Sequence, residues 1–519
     1  MSDTYDPIIP IRHYIYKTKR FSIIIMEKKR NYWLLGIFLA VLAVRLILAL
    51  ALPNFTYESY FHLRQVEHIT ATGLPLYQDS LSYGGRELVF LPGFHYFMAF
   101  FDLFLPLEFA AKLIPNLLMT SLVLIVYLLS KKFSENETAS LLAASVAGFL
   151  PITFTTNSFT PEVLFLPLVL LNIYVFLNIT EKKYFYLYLL TFLLLSITSA
   201  ATILLLIGFL IHFILSFMES KKINREELEL TVFSLFFFIW LQFLFYKNTL
   251  LNEGVSFIWQ NIPQAILIEY FPKVSIPQAI LLVSIIPFVS GIYIVYQSLF
   301  KLKQQKAFLL VSFAVSTTLL TWFRLIEFKL SLSFFGLILA VLFALFYKEI
   351  SEYFSKIKKI KTTKLSTYLL PGTVLLLLLT TLYPAVNSAL NQELPSREEV
   401  EAFKWIKVNT PANSGVAALL EEGHLVTDYS ERENLMDDQY TLIKDVDKRS
   451  GDLNSLFRTK FQTQALGTLD DYKINYLVFT PKAKERYQEE TFGFLSKDCF
   501  KLIYDHETKI YLVKCELKS

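Results

Sequence analysis

Charge is scarce in this chain. Asp, Glu, Lys and Arg make up 18% of its 519 residues, against about a quarter in a typical soluble domain. So little charge cannot wet the exterior of a soluble globule of this length. Cysteine is nearly absent. Cys499 and Cys515, the only two, lie near the C-terminus without zinc-type spacing. They read either as a disulfide, if that region faces an oxidising compartment, or as two reduced buried thiols. Also missing are a Walker loop, a nucleophile elbow, an HExxH helix and a Rossmann fingerprint, so nothing marks a nucleotide site. The formal charge of +4 gives no indication of nucleic acid. No cleavable signal is legible, because residues 1–30 are basic and aromatic rather than small and apolar. Met26 opens MEKKRNYWLL, a normal cytoplasmic start, and residues 1–25 read as a disordered or misassigned extension.

What the chain has instead is long apolar runs. Hydrophobic residues make up 54% of it, and the mean hydropathy is +0.45. The runs recur up to Val386, after which the composition is that of a soluble domain. A spanning helix needs about 20 apolar residues, and about 17 can suffice. The expected fold is a polytopic α-helical membrane protein with about eleven spanning helices and a C-terminal mixed α/β extracytoplasmic domain. Spans are expected near 33–52, 109–130, 138–152, 161–179, 184–198, 200–218, 229–250, 276–299, 306–323, 330–347 and 366–386. The run 184–218 is split at Thr198–Thr202, because its length suits two short helices.

Lys and Arg in short loops set the orientation. The basic clusters are Lys17–Arg30, Lys131–Lys132, Lys182–Lys183, Lys221–Arg225, Lys301–Lys306 and Lys348–Lys364. With the N-terminal segment 1–32 in the cytoplasm, every cluster falls inside. Segments 53–108, 153–160, 251–275 and 324–329 then lie outside, as does the domain 387–519. This requires that 91–105, LPGFHYFMAFFDLFL, does not cross. It is short and carries Pro92, Gly93, His95 and Asp102, so it reads as re-entrant or interfacial within the first outer loop.

Charged residues at the edge of a span are costly and therefore informative. Four places collect on the outer face. In YESYFHLR, Glu58 and His62 are four apart and share a helix face, with Arg64 beyond; an amphipathic interfacial helix would account for them equally. In NSFTPEVLF, from Asn157 to Phe165, Glu162 follows Pro161 at a helix start, where the dipole favours a carboxylate; facing another acid, it would make a hard-cation site. In ILIEYFPK, Glu269 sits among apolar residues, as an amphipathic loop would also place it. In TWFRLIEFK, Arg324 ends a span with Glu327 three residues on, suited to an interfacial ion pair or to a phosphate or carboxylate ligand. Together the acids and the arginine could hold a cation and a lipid-linked phosphate or pyrophosphate.

The order of these features resembles the catalytic subunit of oligosaccharyltransferase, particularly its archaeal form, within the GT-C class of membrane glycosyltransferases. YESYFHLR is similar to the family's DxYYHLR run, with Glu58 at the metal-binding acid. LPGFHYFMAFF resembles its PPLF stretch, and AAKLIPNLLMTSLVLIVYLLSKKF its following span. TPE matches its second acidic motif, with Glu162 as the second acid and Thr160 in place of the first. ILIEYFP resembles the TIxE loop, which puts its acid at Glu269. Arg324 stands at the RF-type arginine, with Leu325 replacing the aromatic. The family's WWDYG signature falls on Leu419, Leu420, Glu421, Glu422 and Gly423, where two leucines replace the tryptophans that help to read a glycosylation sequon.

The resemblance implies inverting transfer of a sugar or oligosaccharide from a polyprenyl phosphate or diphosphate to an acceptor, a protein or else a lipid or glycan, at the outer face of the cell membrane. It implies Glu58 and Glu162 as ligands of Mg²⁺ or Mn²⁺, or one of them as a base without metal. Glu269 would position the acceptor, and Arg324 would bind the lipid phosphate or an acidic acceptor group. His62 is a further ligand or phosphate donor, and Arg64, Asn157 and Glu421 are further substrate contacts. Three alternatives stand beside it. They are a single-sugar transferase like the protein-mannosyltransferase group, a transporter or flippase, and a non-catalytic relative. Against the transporter, no internal repeat is visible and the polar residues cluster at one face, with Arg45 the main exception inside a span.

Overall fold

The structure is a computed structural model and describes residues 31–220, 224–254, 274–301, 307–356 and 365–516. Helices follow the apolar runs because lipid offers the backbone no hydrogen bonds, so each segment must satisfy its own. Every stretch read as a span lies on a helix. Asn31–Ala51 comes first. Leu107–Ser134, Glu137–Gly148, Glu162–Phe176, Lys182–Thr198 and Ile203–Met218 follow, then Arg225–Glu253. Ile276–Val283 and Ile285–Tyr296 form a bent pair, and Phe308–Trp322 and Phe328–Lys356 come next. Helix Leu365–Leu377 runs on through a wider turn into Tyr383–Leu390. Among the described residues, six helices are long and apolar enough to cross a membrane, or seven if the bent pair is one span. The expected count of about eleven is therefore not established by length and composition.

Local chemistry explains several boundaries. Asn136 caps helix 137–148, accepting the Ala139 amide at 3.0 Å. Helices 182–198 and 203–218 are parted at Ser199, which is extended, as the split at 198–202 expected. Ser284, at φ 73°, breaks helix 276–283 from the next with a bend of 97°. Gly93–Asp102 is a helix of 10 residues, about 15 Å long and half of what the hydrocarbon core needs. The buried core runs continuously through the bundle. Large apolar side chains such as Phe217, Phe236 and Trp322 stand exposed on its outside. With the apolar helices, that outer surface makes the chain a membrane protein.

The C-terminal domain starts at helix Arg397–Asn409, whose Ser396 and Glu399 form a capping box. Its sheet holds β3 (Gly415–Ala417), β4 (Glu433–Asn434), β5 (Ile474–Phe479), β6 (Phe500–Asp505) and β7 (Lys509–Val513), in the order β4-β3-β5-β7-β6. A short hairpin, β1 (Gln78–Asp79) and β2 (Arg86–Glu87), lies in the first loop. Strands β4, β3 and β5 are parallel, and β7 is antiparallel to both its neighbours. Cys499 and Cys515 are disulfide-bonded across the outer ends of β6 and β7, which settles the two readings left open by the sequence.

This domain sits on the first loop. Asn54 Nδ2 donates to the Pro395 carbonyl at 2.8 Å, and the Tyr57 hydroxyl to Glu399 at 3.1 Å. Ser82 Oγ donates to Asp437 at 2.7 Å, and Arg86 Nη2 to the Thr441 carbonyl at 2.6 Å.

Candidate functional site

Two loops distant in sequence are tied together beneath the C-terminal domain. The Thr56 amide donates to the Asn157 carbonyl at 3.1 Å, and the Phe159 amide to Ser59 Oγ at 2.9 Å. Those bonds bring Glu58, the N-cap of helix Ser59–Thr72, to the same end of the bundle as Glu162, the first residue of helix 162–176. A third acid, Glu327, stands immediately before helix 328–356. Three helices thus begin with a glutamate, where their dipoles favour negative charge.

Glu162 and Glu58 both act on Glu327. Burial pushes the Glu327 pKa up to about 8, and the carboxylates of Glu162 and then Glu58 add to it. Lys329 is the compensating cation and Asp438 a further acid. Among the described residues the expected i,i+3 ion pair between Arg324 and Glu327 does not form. Arg324 is exposed, has φ 55° and borders a cavity of about 540 Å³ with Thr317, Thr321, Trp322 and Ser331. Carboxylates crowded enough to raise a neighbour's pKa fit a hard divalent cation, which would relieve the repulsion.

Two histidines and an acidic pair complete this end. His62 Nε2 lies 3.9 Å from Glu58 Oε1, and His62 Nδ1 lies 2.9 Å from His95 Nε2. From the C-terminal domain, His424 packs on Phe61 with ring centroids 5.5 Å apart and pairs with Asp438 at 2.6 Å. His424, Asp437 and Asp438 offer ligand atoms within 4.8 Å of one another, the one such group found among the described residues. Their environment argues for an ion-pair network instead of a metal. Burial works against the charge on His424, but Asp438 and Asp437 outweigh it and hold the pKa at about 9. Asp437 already accepts from Ser82, Asn434 and the Gln439 amide, and Arg86 stands 4.0 Å away.

Several residues read from the sequence as substrate contacts are occupied elsewhere. Asn157 is buried, and its amide donates to the carbonyls of Ala49, Leu52 and Asn54 at 3.3, 3.2 and 2.9 Å, closing the end of the first helix. Arg64 makes a bidentate pair with the buried Asp79 at 2.6 and 2.9 Å. Arg64→Ala is expected to destabilise the fold by about 1.5–3 kcal/mol, measured as a lower melting temperature with an unchanged KM for donor. A donor-binding arginine would give the reverse. Glu421 is paired with Lys482 at 3.1 Å and with Arg486. Burial raises its pKa, but Lys482 and Arg486 outweigh that and leave it below the usual carboxylate range. Leu419 and Leu420 are buried in the domain core rather than presented to a ligand. Glu269 lies outside the described residues.

Glu422 behaves oppositely. It is fully buried, accepting the Leu419 amide at 3.0 Å and the Thr480 hydroxyl at 2.6 Å. Burial and then Glu399 push its pKa up to about 8. The unfolded chain ionises this group from about pH 4.5 upward while the fold keeps it protonated. Its contribution to stability is therefore present at acid pH and is lost as pH rises toward 8. Glu422→Gln is expected to melt above the unaltered protein at pH 8, with the difference closing at pH 5. It should widen by at most about 1.4 kcal/mol per pH unit.

An apolar cavity of about 530 Å³ reaches Leu325, two residues before Glu327. It is lined by Ile203, Ile207, Phe238, Leu250, Leu320 and Tyr440 among others. Tyr440 feels both Asp438 and Glu327, which places the cavity next to them.

Comparison with known proteins gives the fold. No family model matches the chain. Over an alignment of 131 positions the chain is 31% identical to dolichyl-phosphooligosaccharide-protein glycotransferase 2 of Archaeoglobus fulgidus, covering 22% of this chain and 22% of that protein. The matched part thus spans about a fifth of the curated relative's length. Among solved structures, the apo oligosaccharyltransferase of the same organism superimposes with a TM-score of 0.66 and 13% identity, over 86% of this chain and 70% of that one. That oligosaccharyltransferase has also been solved with Zn and sulfate, and with an inhibitory peptide and a dolichol-phosphate. ArnT from Cupriavidus metallidurans bound to undecaprenyl phosphate gives 0.56 and 11%, over 92% of this chain and 97% of that one. The chain is therefore a polytopic membrane protein with the GT-C fold. Within that class it is similar to the archaeal oligosaccharyltransferases and to ArnT.

Spacing and hydropathy alone do not mark Glu327, His95 or the His424–Asp438 pair as site residues. Glu327 carried a weak signal, an acid directly ahead of an apolar run, but its spacing from Arg324 suggested an ion pair instead.

Proposed function

We propose that this chain is a membrane glycosyltransferase that moves a sugar or oligosaccharide from a polyprenyl phosphate or diphosphate to an acceptor at the outer membrane face. The observation that carries the reading is the convergence of Glu58, Glu162 and Glu327 at one end of a GT-C bundle, under a folded domain and beside an apolar cavity. In this reading the cavity takes the first isoprene units and the acids lie where the phosphate meets the sugar. The acceptor's nucleophile attacks the anomeric carbon from the face opposite the phosphate. The bond from that carbon to the phosphate oxygen breaks, and the lipid phosphate leaves with the electron pair, inverting the configuration. A carboxylate of the cluster takes the proton that the acceptor gives up. Glu58 and Glu162 would hold Mg²⁺ or Mn²⁺, which when bound supplies Lewis-acid stabilisation of the leaving phosphate. Arg324, at the neighbouring cavity, would bind the phosphate's outer oxygens or an acidic group on the acceptor, and Glu269 would position the acceptor. The C-terminal domain and 53–108 would face the exterior, consistent with the disulfide and the basic loops opposite.

A specific observation favours transfer of a single sugar to an acceptor without a sequon. Leu419 and Leu420, at the positions of the paired tryptophans, are 1% and 9% exposed and present no surface to a peptide. Incubating the purified full chain with lipid-linked donors and a mixture of peptide, glycan and lipid acceptors, then weighing the products, tests both. One added hexose-sized mass indicates the single-sugar form, and an added oligosaccharide the en bloc form. No glycosylated product with any donor would sink the transferase reading.

A further inference from the structure

We propose that a polar groove between the C-terminal domain and the tip of the first loop binds a neutral oligosaccharide, at a subsite separate from the three glutamates. This goes beyond the transfer reading, because the groove would hold a glycan whether or not the chain transfers one. The groove has a volume of about 550 Å³, within the range of about 300–1,000 Å³ for small-molecule sites. It lies at the amino ends of the parallel strands, where Gly415, Glu433 and Ile474 stand abreast, and it takes in Tyr83 and Gly84 of the first loop. The carboxyl ends of β3 and β4 lead instead to His424 and Asp437. The strands themselves therefore part the groove from the turn that packs on Phe61.

One wall is built before any ligand arrives. The Tyr83 amide donates to Asn434 Oδ1 at 2.8 Å, and its hydroxyl to the Asp437 carbonyl at 2.5 Å. The Arg449 guanidinium stands over the rings of Tyr83 and Tyr472, 5.4 and 4.8 Å from their centroids. It donates to Asp445 and to the carbonyls of Tyr83 and Leu435 at 3.0, 3.3 and 3.2 Å. A wall fixed in this way loses little freedom on binding. The rest of the lining is unspent. Among the described residues, neither the half-buried Glu433 carboxylate nor the Asn413 carboxamide has a hydrogen-bond or ion-pair partner. Asn475 accepts the Gly415 amide on Oδ1 at 3.0 Å and keeps its Nδ2 donors. A carboxylate accepts from two hydroxyls, and a carboxamide donates and accepts at once. Together they complement the neighbouring hydroxyls of a sugar, each of which also donates and accepts. Charge selects no ion, because Glu433 and Asp471 are matched by Arg449 and Lys473 along the lining. An extended peptide finds no free strand edge there. The Asn434 amide, on edge strand β4, already donates to the Leu81 carbonyl at 2.9 Å.

The test is binding of free oligosaccharides by the detergent-solubilised full chain, read by saturation-transfer NMR and calorimetry with no transfer step. The probes are an α-linked mannose tetramer, an α-linked glucose tetramer and a galacturonate tetramer as the acidic counterpart. At least one neutral tetramer is expected to bind, and more tightly than the acidic one. Glu433→Gln and Asn413→Ala should each weaken that binding roughly tenfold. The melting temperature should hold, because neither side chain has a partner in the fold. Undiminished binding when both changes are combined would overturn the subsite. So would tighter binding of the acidic tetramer, or no binding of either neutral tetramer at millimolar concentration. Those results leave the transfer reading untouched, whereas a chain that binds a tetramer and transfers nothing would lose that reading and keep this one.

Discussion

Replacing Glu58 or Glu162 by glutamine is expected to lower sugar transfer from a polyprenyl-linked donor by roughly a hundredfold to a thousandfold. Glutamine keeps the shape of the side chain and removes its charge, so the loss measures the electrostatic part of the site. Both positions are loop-anchored by backbone bonds that do not involve the carboxylates, the Thr56–Asn157 and Phe159–Ser59 contacts. Melting temperature should therefore stay close to that of the unaltered protein while the rate falls. Assays in membranes at saturating donor separate the two effects. Full activity in both variants would remove the acids from the chemistry and leave only a bundle with the GT-C fold.

The second large effect is expected at Gly423. This glycine opens the short turn that leads to His424, and a Cβ there would meet the Met436 carbonyl oxygen at 2.3 Å and Asp437 Cβ at 2.7 Å. The obstacle includes backbone, which cannot rotate away as a side-chain tip can. The chain at 436–438 must move, and with it Asp437, the partner of Ser82 and Asn434, and Asp438, the partner of His424. Gly423→Ala is expected to cost about 2–3 kcal/mol and to reduce transfer as well, because the displaced segment is where the domain meets the first loop. Differential scanning calorimetry together with a transfer assay checks this. An unchanged melting temperature would show that the turn has room that the structure does not give it.

Much of the fold was legible from apolar runs, because lipid leaves a segment few ways to satisfy its backbone. Each run that was read as a span falls on a helix, and the short 91–105 stretch forms a 10-residue helix, too short to cross. Less legible was what interrupts those helices. The bend of 97° turns on one residue, Ser284, whose positive φ has no counterpart in its composition or in the hydropathy around it. Spacing also misled where a side chain's partner is far away in sequence. Arg64 is satisfied by Asp79 of β1, and Glu421 by Arg486 from 65 residues on. Asn157 is satisfied by carbonyls more than a hundred residues back. In each case the partner comes from a different element, which spacing along the chain does not reveal. Glu327 shows the converse. A local partner, Arg324, stands nearby in sequence, yet the fold brings Glu327 within the electrostatic reach of Glu162 and Glu58.

The measurement that bears most directly on the whole proposal is an experimental structure of the full chain with polyprenyl phosphate and Mn²⁺ in a lipid nanodisc. The phosphate is expected at the end of the bundle that carries Glu58, Glu162 and Glu327, with the isoprene chain entering the cavity beside Tyr440. A phosphate held at the opposite end, against Lys131 and Lys132, with the three glutamates facing no ligand, would contradict it.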